Sequence, residues 1–261
     1  MRRERAPLAI GILAAAGAAF FILPLIGLVV RTPWADAAKA VTSADTLEAL
    51  RLSLVASLTA TGVALVLGVP LAWVYARIEF PGRSVLRALT TLPMVLPPVV
   101  GGIALLLAFG RRGILGAWLD SSFGITLPFS TVGVVFAETF VAMPFLVLTV
   151  EAGLRSMDRR YEDAARTLGA KRWTIFTRVT LPLIAPSLFA GAVLCWARAL
   201  GEFGATITFA GNFPGVTQTM PLAVYLLLGT NPEGSYILSL ILLVVSLVVL
   251  VGLRHRWLGS A

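Results

Sequence analysis

The chain has one cysteine, Cys195, and one histidine, His255, among 261 residues. A lone thiol excludes an intrachain disulfide framework and a cysteine-ligated metal site, and Cys195, set in an apolar run, reads as a small buried core residue. His255 stands in the basic stretch RHRW, as the neighbour of interfacial cations. Charge is also sparse, with only 13% of residues Asp, Glu, Lys or Arg. An intramembrane enzyme would need paired carboxylates, a Ser-His pair or a metal-ligand cluster. No HExxH, GxSxG, Walker A or zinc spacing is present. The chain therefore reads as non-catalytic, with no cofactor and no metal.

What is abundant is apolar sequence. Hydrophobic residues make up 58% of the chain, against roughly 45–50% in a soluble domain, and mean hydropathy is +0.90. The apolar residues fall in runs of about 20, the length that crosses a bilayer. Six spans are expected: Leu8–Val30, Leu52–Ala76, Leu89–Phe109, Val132–Val150, Leu183–Phe209 and Tyr236–Leu253. The fold class is thus an all-α polytopic membrane protein with six transmembrane helices and no room for a separate soluble domain. Thr219–Gly229 is apolar but too short to cross, which suits a re-entrant or interfacial helix or an extension of the sixth span.

The formal charge of +8 would suggest a nucleic-acid partner in a soluble protein; here it follows from cations retained on one side of the membrane, and no nucleic acid is expected. Alternating the connections places fifteen Lys and Arg on one side and five on the other, with Arg198 inside a span. Arg2, Arg3, Arg5, Arg254 and Arg256 belong to the fifteen, so both termini are expected in the cytoplasm. MRRER, an apolar run and ADAAKA together imitate a signal peptide, but a run of about 23 residues exceeds the roughly 7–15 of a signal h-region, favouring an uncleaved helix. Prolines within spans, notably in LPMVLPPVVGG at 92–102, mark kinks or close helix contacts, or a bend along a translocation path.

Seven of the 21 Lys and Arg are concentrated between Arg155 and Arg178, around EDAARTLGAKRWTIFTRVTLP at 162–182. Asp158 can cap a helix carrying Tyr161, Ala164, Ala165 and Leu168 at helical spacing, and Gly169 is placed as its stop. A second helical stretch, Lys171 to Val179, ends at Leu181-Pro182. Topology anchoring explains the charge but not this punctuation.

The punctuation resembles the cytoplasmic EAA motif of ABC importer permeases (Glu-Ala-Ala, three residues, Gly, nine residues, Ile, one residue, Leu-Pro). Asp163, Ala164, Ala165, Gly169, Val179, Leu181 and Pro182 match it, with Asp for Glu and Val for Ile. RALGEFGATITFAGNFPGVTQTMPLAVY at 198–225, with LPMVLPPVVGG, FGRRGILG and EDAARTLGAKRW, is similar to the molybdate branch, over about Leu47 to Leu253, leaving Met1–Val41 outside the match. The resemblance implies a type I, MetI-like permease fold, with residues 1–45 an additional helix and external loop and 46–255 the core with coupling loop 155–182. It implies a bacterial inner-membrane homodimer whose coupling loops dock on two ATP-hydrolysing subunits, fed by an extracytoplasmic molybdate-binding protein. Sulfate or thiosulfate permeases share the Arg-Ala-Leu-Gly-Glu pattern and are the alternative; a self-sufficient secondary transporter would give the EAA loop no role.

Within the fifth span, Arg198 and Glu202 lie four apart and share a helix face, where pairing lowers the cost of either charge at membrane depth. The pair either stabilises the bundle or lines the oxyanion path and switches with gating. Gly201 and Gly204 would admit a neighbouring helix across a dimer axis. Thr206, Thr208, Asn212, Thr217, Gln218 and Thr219 could face an oxyanion or cap helix ends. Glu138 and Glu151 lie near or within a span, Glu151 towards the cytoplasmic interface.

Overall fold

The computed structural model describes residues 7–258, with side chains through Val249 and at Val251. Arg2, Arg3 and Arg5, and the side chains of Arg254, His255 and Arg256, lie outside what is described. All regular structure among the described residues is helical. Among the described residues, four helices are long and apolar enough to cross a membrane, or up to six when each of two sharply bent pairs is taken as one span.

The first two long helices differ in how much they bury. Helix α1 (Leu8–Arg31) has no buried residue and rests beside the last helix, α14 (Pro232–Leu258). After the short α2 (Trp34–Val41), Ser43 opens α3 (Ala44–Arg77) by accepting the Thr46 N–H at 3.3 Å. Small residues of α3, among them Ala56, Ala60, Ala64, Gly68 and Ala72, recur every three or four positions and are buried. That stripe lets α7 (Thr131–Ser156) approach closely. A methyl group at Gly68 would meet Leu146 at 2.8 Å. Between helices with lipid on their outer sides, such close packing replaces the hydrophobic drive available in water.

The third expected span is broken. It begins as α4 (Arg83–Thr91), tightens over Leu92–Met94 and turns by 119° into α5 (Pro98–Phe109). Pro97 and Pro98 each lack an N–H, and each disfavours helix in the residue before it, so no continuous helix passes this point. At about 1.5 Å per residue, α5 reaches about 18 Å and cannot cross alone.

The fifth span is broken too. Beyond α6 (Gly116–Phe123) and α7 come α8 (Arg160–Thr167), α9 (Arg172–Ile175) and a wide turn over Phe176–Thr180 in which Leu181 N–H reaches back to Phe176 C=O. The helix does not end at Leu181-Pro182: it continues through α10 (Leu181–Leu183) and bends by 73° at Ile184 into α11 (Ala185–Leu200). Pro186, whose nitrogen has no hydrogen to donate, accounts for a break there. α11 stops at Leu200, so the stretch to Phe209 is a separate six-residue helix, α12 (Gly204–Phe209). The apolar piece after it is α13 (Met220–Thr230), a separate helix packed on α14 and ended at Asn231.

Candidate functional site: the α8 loop and the α12 cluster

The first half of the charged segment folds as its punctuation predicts, while the second helix runs on past Leu181-Pro182. Asp158 accepts the Arg160 N–H at 2.9 Å at the start of α8. Gly169 closes it with φ +81°, a left-handed conformation that suits glycine. The helix has two unlike faces. Tyr161 and Leu168 are 58% and 88% exposed and Ala164 is exposed with them, while Ala165 is half-buried. Arg159, Glu162, Asp163 and Arg166, at i, i+3, i+4 and i+7, look the other way into a cleft against the end of α3.

Glu162, the residue just before the motif, fastens that inner face. It is 4% exposed and accepts from Arg77 at 3.3 Å and from Thr180 Oγ1 at 2.8 Å. Asp163, the motif position, is exposed and among the described residues pairs only with Arg166, at 2.7 Å. The motif register points to Asp163, and a contact between residues 85 apart has no signature in one sequence. The spacing of the four charged residues on one side of α8 was the available signal.

The concentration of arginine also has a local cause. The last carbonyls of α3 have no partner within the helix, and cations near a helix C-terminus are favourable. Arg83 and Arg155, the latter at 3.1 Å, donate to Tyr75 C=O, and Arg159 donates to Ala76 C=O at 3.5 Å. Glu151 is buried in α7 and is held by Arg87 of α4 at 3.0 Å and by Arg155 at 2.8 Å. A chain of charge thus runs from α8 through the end of α3 to α4. Leu181 packs against the main core and Pro182 is exposed.

Arg198 and Glu202 do pair, at 2.5 Å, but not along one helix face: Glu202 lies beyond the end of α11. Its second oxygen accepts the Ala205 N–H at 2.8 Å in the first turn of α12. Glu202 is 1% exposed and Arg198 side-chain exposure is 27%. Glu138 of α7, also 1% exposed, lies within electrostatic range of Glu202. Gly204 serves a close contact inside this chain, with Pro98 Cβ 2.8 Å from where its own Cβ would be. Gly102 likewise faces Thr208 and the Ala205 carbonyl. Gly201 is exposed, and a Cβ there would meet only its own helix, at 3.7 Å.

Most of the polar set closes local structure. Thr208 Oγ1 donates to Gly204 C=O at 2.7 Å, and Thr217 Oγ1 accepts the Phe213 N–H at 2.9 Å. Among the described residues, the hydroxyl of fully buried Thr206 has no partner, and Thr219 and Asn212 also keep an unpaired oxygen. Gln218 is half-buried. No group of three or more metal-ligating side chains occurs among the described residues.

Known proteins can be set beside this geometry. Residues 64–260 match the family described as binding-protein-dependent transport system inner membrane component. The chain is 47% identical over 245 residues to the molybdenum transport system permease protein ModB of Mycobacterium tuberculosis, covering 93% of this chain and 92% of that one. That coverage takes in much of the first 41 residues, beyond the Leu47–Leu253 stretch. The sulfate transport system permease protein CysT of Escherichia coli is 38% identical over 226 residues, 85% of this chain and 81% of that one. A crystal structure of a bacterial ABC transporter that imports alginate superimposes with a TM-score of 0.73 at 20% identity, covering 96% of this chain and 94% of that one.

Proposed function

The chain belongs to the family of binding-protein-dependent transport system inner membrane components, and from that premise we propose that it is the membrane-spanning subunit of an ATP-driven molybdate importer. The observation that carries the cargo assignment is the 47% identity to a molybdenum permease across 93% of the chain. Tungstate, a tetrahedral dianion of nearly the same size and charge, is accepted as well.

Two copies of the chain enclose one pathway, with both termini in the cytoplasm. Two ATP-hydrolysing subunits dock on the outer face of α8, around Ala164 and Ala165, and a molybdate-binding protein delivers the anion from outside. Support for the docking role comes from α8 itself, anchored through Glu162 on one side and open on the other. ATP binding closes the ATPases and turns the pathway outward; hydrolysis returns it inward. Asp163, Gly169, Leu181 and Pro182 set the shape of the coupling unit. Arg198 and Glu202, with Gly204, Thr206 and Thr208, form the gate-side cluster. Residues 46–255 constitute the transport core and residues 1–45 an added helix and external loop. Hydrolytic chemistry belongs to the partner.

Selection resides mainly in the binding protein, whose closed site can match size and hydrogen bonds, while a pathway must hold the anion weakly enough to release it. The identity to a sulfate permease makes sulfate the rival cargo. Uptake of labelled molybdate by the reconstituted permease, ATPase and binding protein decides between them. Tungstate should compete strongly and equimolar sulfate little. ATP-driven sulfate uptake without molybdate uptake would move the chain to the sulfate branch.

A further inference from the structure

The inner face of α8 borders a cleft of about 370 Å³ whose charged lining is Arg77, Arg159, Arg166 and Arg172 against Glu162 and Asp163. The surplus is two positive charges. Arg77 is the buried member: its side chain is 8% exposed and its Nε has no hydrogen-bond partner among the described residues. Arg172, on the rim, is exposed, and its side chain has neither an ion-pair nor a hydrogen-bond partner there.

Next to this cleft lies an apolar groove of about 390 Å³ lined by Pro70, Trp73, Trp173 and Phe176, with Arg172 at its edge. Trp73, Arg172 and Phe176 line both spaces. The rings form a connected group, Phe176 lying 6.3 Å from Trp73 and 5.8 Å from Trp173. Trp73 stands in the last turns of α3, where a span leaves the membrane, the level at which tryptophan is favoured. A basic cavity continuous with an aromatic groove at that depth matches one kind of molecule: an amphiphile with an anionic head and an apolar tail.

We infer that this composite cleft binds an anionic phospholipid, the headgroup phosphate on Arg77 and Arg172 and an acyl chain along Trp73, Trp173 and Phe176. Basic pockets at the ends of membrane helices recognise such headgroups by charge. A free phosphate would leave the groove unused. The ATPase would engage Tyr161, Ala164 and Leu168, which lie on the opposite side of α8 from the cleft. The site lends the coupling loop a sensitivity to membrane composition that the transport cycle itself does not require.

Tryptophan quenching tests this on the full-length chain in phosphatidylcholine nanodiscs carrying either brominated phosphatidylglycerol or brominated phosphatidylcholine. Trp173→Phe identifies the contribution of the site among the six tryptophans. The phosphatidylglycerol probe should reach half-quenching at a mole fraction about fivefold lower than the phosphatidylcholine probe. Arg172→Gln should remove about that factor and Arg172→Lys should keep it. Equal quenching by the two lipids would overturn the inference. So would loss of the preference on adding inorganic phosphate, which would indicate a soluble-anion site, or loss of quenching on adding the ATPase subunit, which would show that protein covers the groove. None of these readouts involves transport, so failure of the cargo assignment leaves this test intact.

Discussion

Helices α8 and α12 are both short, eight and six residues, and each is fastened by a buried glutamate paired with an arginine. The similarity ends there. Glu202 pairs with a residue four positions back and accepts an N–H from the first turn of the next helix, whereas Glu162 pairs with Arg77 across 85 residues and ties a loop to the end of a long helix. α12 buries Gly204, Ala205, Thr206 and Phe209 and packs tightly on α5; α8 buries one side chain, Glu162, and leaves the rest of its surface open or partly open. One helix is interior packing. The other is held from behind and presented outward, as a docking element requires.

The comparison breaks most sharply at Glu162. Removing one partner of a buried ion pair costs about 3–5 kcal/mol, because the remaining charge stays buried. Glu162→Ala should therefore release α8, raising amide exchange over residues 160–167 and abolishing coupled uptake, while the α3–α7 core stays protected. Arg77→Ala should do the same, and the double variant should lose less than the sum of the two. Asp163→Asn, at an exposed pair, should change anchoring by less than about 1 kcal/mol.

A smaller effect is expected at Gly169. Nothing lies within 4 Å of a Cβ added there, so any cost comes from its φ of +81°. Alanine should cost about 1–2 kcal/mol of local stability, and asparagine, which enters the left-handed region more readily, less. Thermal unfolding of the two variants checks the order; equal melting temperatures would show that the turn does not depend on this conformation.

The smallest effect lies at Asp120 of α6. Hydrogen bonds from Arg111 and Thr126 hold its carboxyl below the ordinary 3.8. A lowered folded-state value means the stabilisation is complete above about 3.8 and is lost as pH falls through the lower value. Proteolytic protection of the segment from Arg111 to Thr126 should stay flat from neutral pH to about 5 and fall only in stronger acid. Asp120→Asn should remove the acid step.

Legibility in the sequence followed the range of each interaction. Gly169 and Asp158 act within a few residues: Gly169 falls where turn chemistry places it, and Asp158, one residue before the cap position Arg159, accepts the Arg160 N–H. The short α13 was visible as an apolar run that is too short to cross. The third and fifth spans read as continuous in the sequence because a hydropathy window sums composition and does not register a break, although Pro97 and Pro98 supply the cause of one. Pairing of Arg198 with Glu202 was readable from spacing, yet the helix end between them was not. Glu162 with Arg77, and Glu151 with Arg87, join distant segments, and no local pattern marks them.

The central claim is that α8 offers one face to a partner and keeps the other on α3. Single cysteines introduced at positions 159 to 168, in a Cys195→Ala background that removes the one native thiol, can be labelled with and without the ATPase subunit. The account predicts protection with helical period, strong at Tyr161, Ala164 and Leu168 and weak at Arg159 and Arg166. Uniform protection, or protection centred on Arg159 and Arg166, would contradict it.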